Sequence, residues 1–122
     1  MLLDTYAWVE FFKGTEKGNT IKKILRENQC FTCAISIAEL SEWIERDNLD
    51  RKKIIHTVKN LSSILGLDEE LLELAGILKV KKRKNAKDFG MIDAIILATG
   101  KQYNFKILTG DKHFKGENVE ML

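Results

Sequence analysis

Short apolar runs alternate with longer amphipathic stretches along this chain. The amphipathic stretches repeat their apolar positions at the helical spacing of three or four residues, whereas the runs have the length of buried strands. Five segments are candidate strands, namely residues 1–4, 29–32, 64–67, 106–109 and 119–122. Strands that are apolar throughout are typical of a parallel sheet covered by helices on both faces. The pattern therefore predicts an α/β sandwich.

The amphipathic stretches begin and end at residues that commonly bound helices. They comprise residues 5–13, a stretch marked by Ile21, Ile24 and Leu25, residues 34–46, two stretches after Asp50 and Asp68, and residues 88–103. Gly14 can end the first helix. Asp50, Asp68 and Asp88 can accept hydrogen bonds from free N–H groups in a first helical turn. We interpret Asp88 as such a cap rather than as a metal ligand.

Two of these helices carry a clear inward stripe. The stripes are formed by Ile54, Ile55, Val58 and Leu61 in one helix and by Leu71, Leu74, Ala75 and Leu78 in the other. Trp8 and Trp43 lie on amphipathic helices as well, where a large aromatic residue usually belongs to a core or an interface.

Composition is that of an ordinary globular protein. The chain has 122 residues, of which 44% are hydrophobic and 31% charged, and its net charge is only +2. No apolar run approaches the roughly 20 residues that cross a bilayer, and no signal peptide is apparent. We expect one domain over residues 1–122, with no membrane contact and a cytoplasmic location.

Cys30 and Cys33 form a C-x-x-C motif. In a cytosolic βαβ setting such a motif can be a redox pair, whereas a zinc site would need a second pair of ligands. His56 and His113 do not have that spacing, and we treat both as ordinary polar residues. We interpret the two cysteines as small apolar residues where a strand runs into a helix.

Four acidic residues stand where a carboxylate is costly unless a cation shares the site. Asp4 and Asp111 follow apolar strands, whereas Glu39 and Asp93 lie on apolar helices. The carboxyl ends of parallel strands border the ligand crevice of open α/β sheets, so the four can converge there. Carboxylates without cysteine or histidine favour a hard cation such as Mg²⁺ or Mn²⁺.

Three of these acids also have a local explanation. Asp4 can cap the first helix, and Asp111 can begin a turn. Ser36 and Glu39 match the S-x-x-E capping box, although the apolar stretch before Ser36 suggests an earlier helix start. Asp93 lies beside an apolar stripe and has the weakest local explanation. The joint placement of the four therefore carries more weight than any single acid.

Five segments together resemble a known family. They are LDTYAW at residues 3–8, FFKG at 11–14, IAEL at 37–40, MIDAII at 91–96 and LTGDKHF at 108–114. In order and spacing they resemble the PIN domain, especially its VapC-type toxin branch. The resemblance implies a three-layer α/β/α sandwich with a five-stranded parallel sheet and a Mg²⁺- or Mn²⁺-dependent nuclease site.

The resemblance also assigns roles to individual residues. Asp4, Glu39, Asp93 and Asp111 match the acidic quartet that holds the metal and performs catalysis. Thr5 and Thr109 match positions that can add a hydroxyl beside the metal. Gly110 departs from the larger residue often found before the last Asp. Family membership further implies a homodimer and, for toxins, a small antitoxin partner.

The densest basic run precedes the helix that carries Asp93. Its members Lys81, Lys82, Arg83 and Lys84 are candidates for binding a nucleic-acid backbone. The alternative is a solvated helix end whose cations complement the helix dipole, and the two readings are compatible.

The favoured function is an endoribonuclease toxin that hydrolyses RNA phosphodiester bonds with metal-activated water. A PIN-domain nuclease of RNA processing or quality control, without an antitoxin, is the first alternative. A non-catalytic nucleic-acid-binding module is the second. A response-regulator receiver would need paired acids after the first strand, and a haloacid-dehalogenase-like phosphatase would need D-x-D, where Tyr6 stands instead.

Overall fold

The computed structural model describes residues 1–122 and contains one five-stranded parallel sheet. Its strands are β1 (Leu2–Leu3), β2 (Phe31–Cys33), β3 (Ser63–Leu65), β4 (Ile107–Thr109) and β5 (Val119–Met121). They are arranged in the order β3-β2-β1-β4-β5. From β1 the chain builds outward through β2 and β3, then returns to build β4 and β5 on the other side. The strand order therefore reverses between β1 and β4, where such sheets bind ligands.

Helices cover both faces of this sheet, which confirms the predicted three-layer sandwich. They are α1 (Thr5–Lys13), α2 (Glu16–Glu27), α3 (Ala34–Arg46), α4 (Arg51–Leu61), α5 (Glu69–Arg83) and α6 (Met91–Tyr103). A short 3₁₀ helix, Lys112–Phe114, follows β4. One apolar core contains residues of α5 and α6, and a second contains residues of α1 to α4. None of the helices is long and apolar enough to cross a membrane.

Several helix ends form as the sequence predicted. Asp50 and Asp68 each accept a hydrogen bond from the backbone N–H three residues later. Gly14 ends α1 with φ of 67°, a conformation that costs glycine little because it lacks a Cβ atom.

The predicted start of the last helix at Asp88 is wrong, because α6 begins at Met91. The Phe89 side chain is buried, and its carbonyl accepts a hydrogen bond from Arg83 Nε at 2.9 Å. Gly90 then has an extended backbone, with φ of −91° and ψ of 173°. Because residues 84–90 are held as a connection to α5, the helix cannot extend back to Asp88.

The limits of the strands, and of the inward-facing apolar positions on the helices, differ from prediction mainly around the outer strand β3. β3 spans Ser63–Leu65 instead of residues 64–67, and its side chains are largely exposed because it is an outer strand. Leu61 is 41% exposed, so it does not belong to the inward stripe of α4, whereas Ile54 and Val58 do. The apolar sequence alone did not distinguish a covered strand from an edge strand.

The two cysteines are free and buried, as expected of small apolar residues. β2 lies later than predicted, at residues 31–33, so that Cys33 is its last residue. Cys33 belongs to the core with α5 and α6, whereas Cys30 belongs to the core on the other face. Because the sheet lies between them, the two thiols do not form a redox pair in this fold. Trp8 and Trp43 are buried in the second core, as predicted.

Candidate metal centre

The sheet places Asp4 and Asp111 side by side at the point where the strand order reverses. Asp4 directly follows β1, and its backbone N–H donates to the Leu108 carbonyl of β4 at 3.2 Å. Asp111 stands two residues beyond the end of β4. Asp93 lies in the first turn of α6, and Glu39 lies in the second turn of α3. The topology therefore brings the four predicted acids to one edge of the sheet.

Asp4 is the most buried of the four acids, with 3% of its surface exposed. Its Oδ1 accepts a hydrogen bond from the Ala7 N–H at 2.8 Å, which caps α1. Its Oδ2 accepts a hydrogen bond from the Thr109 hydroxyl. Burial raises the pKa of Asp4 to about 7, against the lowering effect of these donors and with a further rise from Asp111 and Asp93.

Thr109 links two acids of the site. Its hydroxyl oxygen accepts a hydrogen bond from the Asp111 N–H at 2.9 Å while the same hydroxyl donates to Asp4. Asp111 Oδ1 in turn accepts the N–H of His113 at 2.9 Å, which begins the 3₁₀ helix. Thr109, which was predicted to support the site, thus connects the end of β4 to Asp4, the residue that follows β1.

Glu39 is held by the other predicted hydroxyl. The Thr5 hydroxyl lies 2.5 Å from Glu39 Oε1 and 3.1 Å from Ser36 Oγ. Burial raises the pKa of Glu39, and the charge of Asp93 raises it further. Since α3 begins at Ala34, Ser36 is a buried residue inside the first turn and not a cap. The capping-box explanation of Glu39 is therefore wrong.

Asp93, in contrast, does have a local role that the sequence did not suggest. Its Oδ2 accepts a hydrogen bond from the Gly90 N–H at 3.2 Å, across the first turn of α6. Burial raises the pKa of Asp93 despite this bond, and Asp111 raises it while His113 lowers it. One carboxylate oxygen steadies the helix start, and the other remains free for a ligand.

The charges of these acids are not balanced by lysine or arginine. The lysine and arginine ion pairs of the protein involve Glu42, Asp47, Glu45 and Glu117, whereas the neighbour of Asp111 is the ring of His113. Asp4, Glu39 and Asp93 thus share a partly buried region without a lysine or arginine partner, and the charge of a neighbouring acid raises the pKa of each. A divalent cation with oxygen ligands would relieve this repulsion, so the donor set fits Mg²⁺ or Mn²⁺.

Sequence reasoning missed one residue of this site. Single ligand atoms of Asp93, Asp111 and His113 lie within 4.8 Å of one another, whereas Asp4 and Glu39 lie outside this group. The only signal in the sequence was the spacing of two residues between Asp111 and His113. His113 lies in the 3₁₀ helix that follows Asp111, and this helix places its ring near Asp93 as well as near Asp111.

The structure also explains why glycine stands before Asp111. A Cβ atom on Gly110 would overlap the ring of Tyr6, which lies against the backbone at this point. The Tyr6 hydroxyl accepts a hydrogen bond from Lys17 Nζ at 3.0 Å. Gly110 thus leaves room for the ring of Tyr6, which belongs to α1 and occupies the space that a larger residue at position 110 would need.

The basic run contains side chains that contact the connection to α6 and side chains that contact only solvent. Arg83 Nε binds the Phe89 carbonyl, and Lys82 Nζ lies 3.4 Å from the Lys115 carbonyl and 5.7 Å from the centre of the Phe89 ring. Lys81 and Lys84 are exposed and make no such contact. Two of the four residues predicted to bind nucleic acid thus also hold the connection from α5 to α6.

Comparisons with solved structures identify proteins of the same fold. A toxin–antitoxin complex from Klebsiella pneumoniae is similar at a TM-score of 0.76 and 22% identity, over 98% of this chain and 95% of that chain. VapBC2 from Rickettsia felis, bound to a promoter DNA fragment, gives 0.78 and 16%, over 99% and 97%. VapC20 from Mycobacterium tuberculosis, a sarcin-ricin loop cleaving toxin, gives 0.68 and 18%, over 87% and 85%.

Sequence comparison identifies the family. No curated protein matches this chain closely enough to count as a relative. Residues 1–116, however, match the family model of the PIN domain. That match covers both strands that border the candidate metal centre and all four acids. This chain belongs to the PIN domain family.

Proposed function

We propose that this protein is a Mg²⁺- or Mn²⁺-dependent endoribonuclease and the toxin of a VapBC-type toxin–antitoxin pair. The observation that carries the proposal is that four carboxylates lie near the point where the strand order reverses and that none of them pairs with a lysine or an arginine. Membership of the PIN domain family and the fold shared with toxins, one of which cleaves the sarcin-ricin loop, support it. We further propose that residues 1–122 act as one nuclease domain in the cytoplasm.

Asp4, Glu39, Asp93 and Asp111 would hold the cation. When bound, a divalent cation stabilises the attacking and leaving oxygens of a phosphodiester displacement and lowers the pKa of a water molecule. Thr109 and the Ala7 N–H fix the Asp4 carboxylate, and Thr5 fixes that of Glu39. These donors leave the charged groups little freedom to move, which reduces the reorganisation that the reaction would otherwise require.

The RNA backbone would be bound by the exposed cations at the end of α5. Lys81 and Lys84 extend into solvent before the connection that leads to Asp93. Lysines in such a position bind phosphates without reading the base sequence. Arg83 contributes its remaining guanidinium nitrogens, since only its Nε is used by the Phe89 carbonyl.

A small antitoxin and a second copy of the chain are the proposed protein partners. Support comes from the similar structures, which include toxin–antitoxin complexes, some of them bound to DNA. A neighbouring reading frame for a small DNA-binding protein would support the toxin assignment over a role in RNA processing. Co-expression of the two products should then yield a complex without nuclease activity.

Cleavage of total cellular RNA tests the catalytic proposal. The wild-type protein should cut RNA with Mg²⁺ or Mn²⁺ and should be inactive with a chelator. Asp4→Asn and Asp93→Asn should each lower the rate by at least about 100-fold, because each removes a charged ligand. Asp88→Asn is the matched control, since Asp88 is exposed and outside the site. Undiminished activity of both site variants would refute the proposal.

A further inference from the structure

His113 lies in the candidate metal centre without a hydrogen bond that accounts for its position. Its Nδ1 is buried and has no hydrogen-bond partner, although the side chain as a whole is 35% exposed. Asp111 Oδ1 is only 2.9 Å from this nitrogen, but the ring is not oriented to form an N–H···O bond with it. That oxygen already accepts the backbone N–H of His113.

This arrangement is unfavourable in either neutral form of the ring. If Nδ1 carries a lone pair, the lone pair is close to a carboxylate oxygen that carries negative charge. If Nδ1 carries a hydrogen, a buried donor is left unsatisfied, which typically costs about 1–3 kcal/mol. A cation that accepts electron pairs from both atoms would favour the tautomer with the hydrogen on Nε2 and would remove the repulsion between the Nδ1 lone pair and the carboxylate oxygen.

The distances agree with two atoms that bind the same ion. Adjacent ligands of an octahedral cation, with bonds of roughly 2.1 Å at right angles, lie about 3 Å apart. Nδ1 and Asp111 Oδ1 are 2.9 Å apart. One ligand atom from each of Asp93, Asp111 and His113 lies within 4.8 Å of the other two, so Asp93 is close enough to bind the same ion.

We propose that His113 Nδ1 is a direct ligand of the bound cation, together with Asp93 and Asp111, and shifts the site from Mg²⁺ toward first-row transition-metal ions. This inference rests on the metal dependence of the proposed function. Mg²⁺ strongly prefers oxygen, whereas imidazole nitrogen is a good donor to transition-metal ions. Carboxylates suit both Mg²⁺ and Mn²⁺, so His113 is the ligand that would favour the transition-metal ion.

Electron spin echo spectroscopy of bound Mn²⁺ tests the ligand directly, without a measurement of activity. The chain has two histidines, and His56 is exposed and lies 2.9 Å from the Asn60 side chain. In His56→Ala, any imidazole coupling must therefore come from His113. We expect ¹⁴N imidazole modulation in the wild type and in His56→Ala, replaced by a ¹⁵N pattern when histidine is ¹⁵N-labelled.

Calorimetry of metal binding gives a second, independent readout. His113→Ala should raise the Kd for Mn²⁺ by about tenfold or more, as loss of a metal-site partner typically does, and should change the Kd for Mg²⁺ by less than about threefold. His56→Ala should leave both values unchanged. If His113→Ala does not fold, the spectrum of His56→Ala still decides the question.

The outcomes separate this inference from the function on which it rests. Bound Mn²⁺ without imidazole coupling in His56→Ala would overturn the role of His113, while metal-dependent RNA cleavage would still support the nuclease. Equal loss of Mn²⁺ and Mg²⁺ affinity in His113→Ala would overturn the proposed shift in preference. A wild-type protein that binds neither ion would overturn both proposals.

Discussion

At the scale of single residues, three acids of the candidate centre each accept a backbone N–H through one carboxylate oxygen, and their second oxygen is left for another partner. Asp4 caps α1 through Oδ1, and its Oδ2 accepts a hydrogen bond from the Thr109 hydroxyl. Asp93 bonds to the Gly90 N–H through one oxygen, and Asp111 bonds to the His113 N–H through one oxygen. Capping and metal binding are therefore not alternatives, because a carboxylate has two oxygens with several lone pairs between them.

Asp4 should make the stability of the metal-free protein depend on pH. Its pKa is raised from 3.8 to about 7, chiefly by burial, so the folded protein binds more protons than the unfolded chain between these values. The free energy of unfolding should therefore fall as pH rises from about 4 to about 7. Urea denaturation in the presence of a chelator at a series of pH values measures this slope.

The slope should be smaller in Asp4→Asn, which has no titratable group at this position. Glu39 and Asp93 also have raised pKa values, so part of the slope should persist. Asp88→Asn serves as the control and should retain the wild-type slope. An identical slope in Asp4→Asn and the wild type would show that Asp4 is not the titrating group.

Thr109 should control metal affinity through its hydroxyl. Thr109→Val keeps the shape of the side chain but leaves Asp4 Oδ2 without a donor and the Asp111 N–H without an acceptor. We expect the Kd for Mn²⁺ to rise by roughly 10- to 100-fold, as is usual when a partner of a metal ligand is lost. Thr109→Ser keeps the hydroxyl and should stay close to the wild type. A valine variant that binds Mn²⁺ normally would contradict this positioning role.

At the scale of secondary-structure elements, the sequence predicted the order of strands and helices but not all of their limits. The helices after Asp50 and Asp68 begin where predicted, because capping is a local interaction between residues three apart. The start of α6 depends on Arg83, which lies on another helix, and on Phe89, whose side chain is buried within an otherwise largely exposed connection. Such contacts leave no periodic pattern, and the predicted start at Asp88 failed for that reason.

Mutation should divide the cations at the end of α5 into those that affect RNA binding and those that affect the stability of the fold. Lys81→Gln with Lys84→Gln should weaken RNA binding and reduce its dependence on salt, because phosphate contacts release counterions. The free energy of unfolding should hardly change, since both side chains are exposed. Binding is measured in an Asp93→Asn background, which prevents cleavage, as a function of salt concentration. An unchanged salt dependence would exclude these lysines from the RNA interface.

Arg83→Gln is the comparison that identifies the structural group. It removes the hydrogen bond to the Phe89 carbonyl and should lower the free energy of unfolding by about 1–2 kcal/mol. Urea denaturation of the same set of variants measures this difference. Equal stability of the arginine and lysine variants would show that the connection to α6 does not depend on Arg83.

At the scale of the whole molecule, metal binding should stabilise the fold because the site joins β1, β4, α3 and α6. A cation that binds only the folded protein adds about 2.7 kcal/mol at a concentration of 100 times its Kd. Mn²⁺ or Mg²⁺ should therefore raise the Tm of the wild type in a thermal unfolding experiment. KCl at equal ionic strength controls for screening.

The increase in Tm should be absent in Asp93→Asn, which removes a carboxylate of the site, and present in Asp88→Asn. A large increase in Asp93→Asn would place the bound ion elsewhere. The Tm of Asp93→Asn without metal should be no lower than that of the wild type, because the substitution relieves repulsion from Asp111.

The sequence by itself determined the class of fold and the family, and it indicated the four acids as one set. These follow from local periodicity, from the cost of a carboxylate in an apolar segment and from the order of the motifs, all of which can be read along the chain without knowing which distant residues meet. The resemblance indicated Thr5 and Thr109 as supporting residues, but only the tertiary structure decided which acid each one contacts and that His113 lies beside Asp93. Thr109 meets Asp4 across 105 positions of sequence, Thr5 meets Glu39 across 34, and His113 approaches Asp93 through a bend in the chain. Contacts between distant residues depend on the strand order β3-β2-β1-β4-β5, which hydrophobic pattern does not encode.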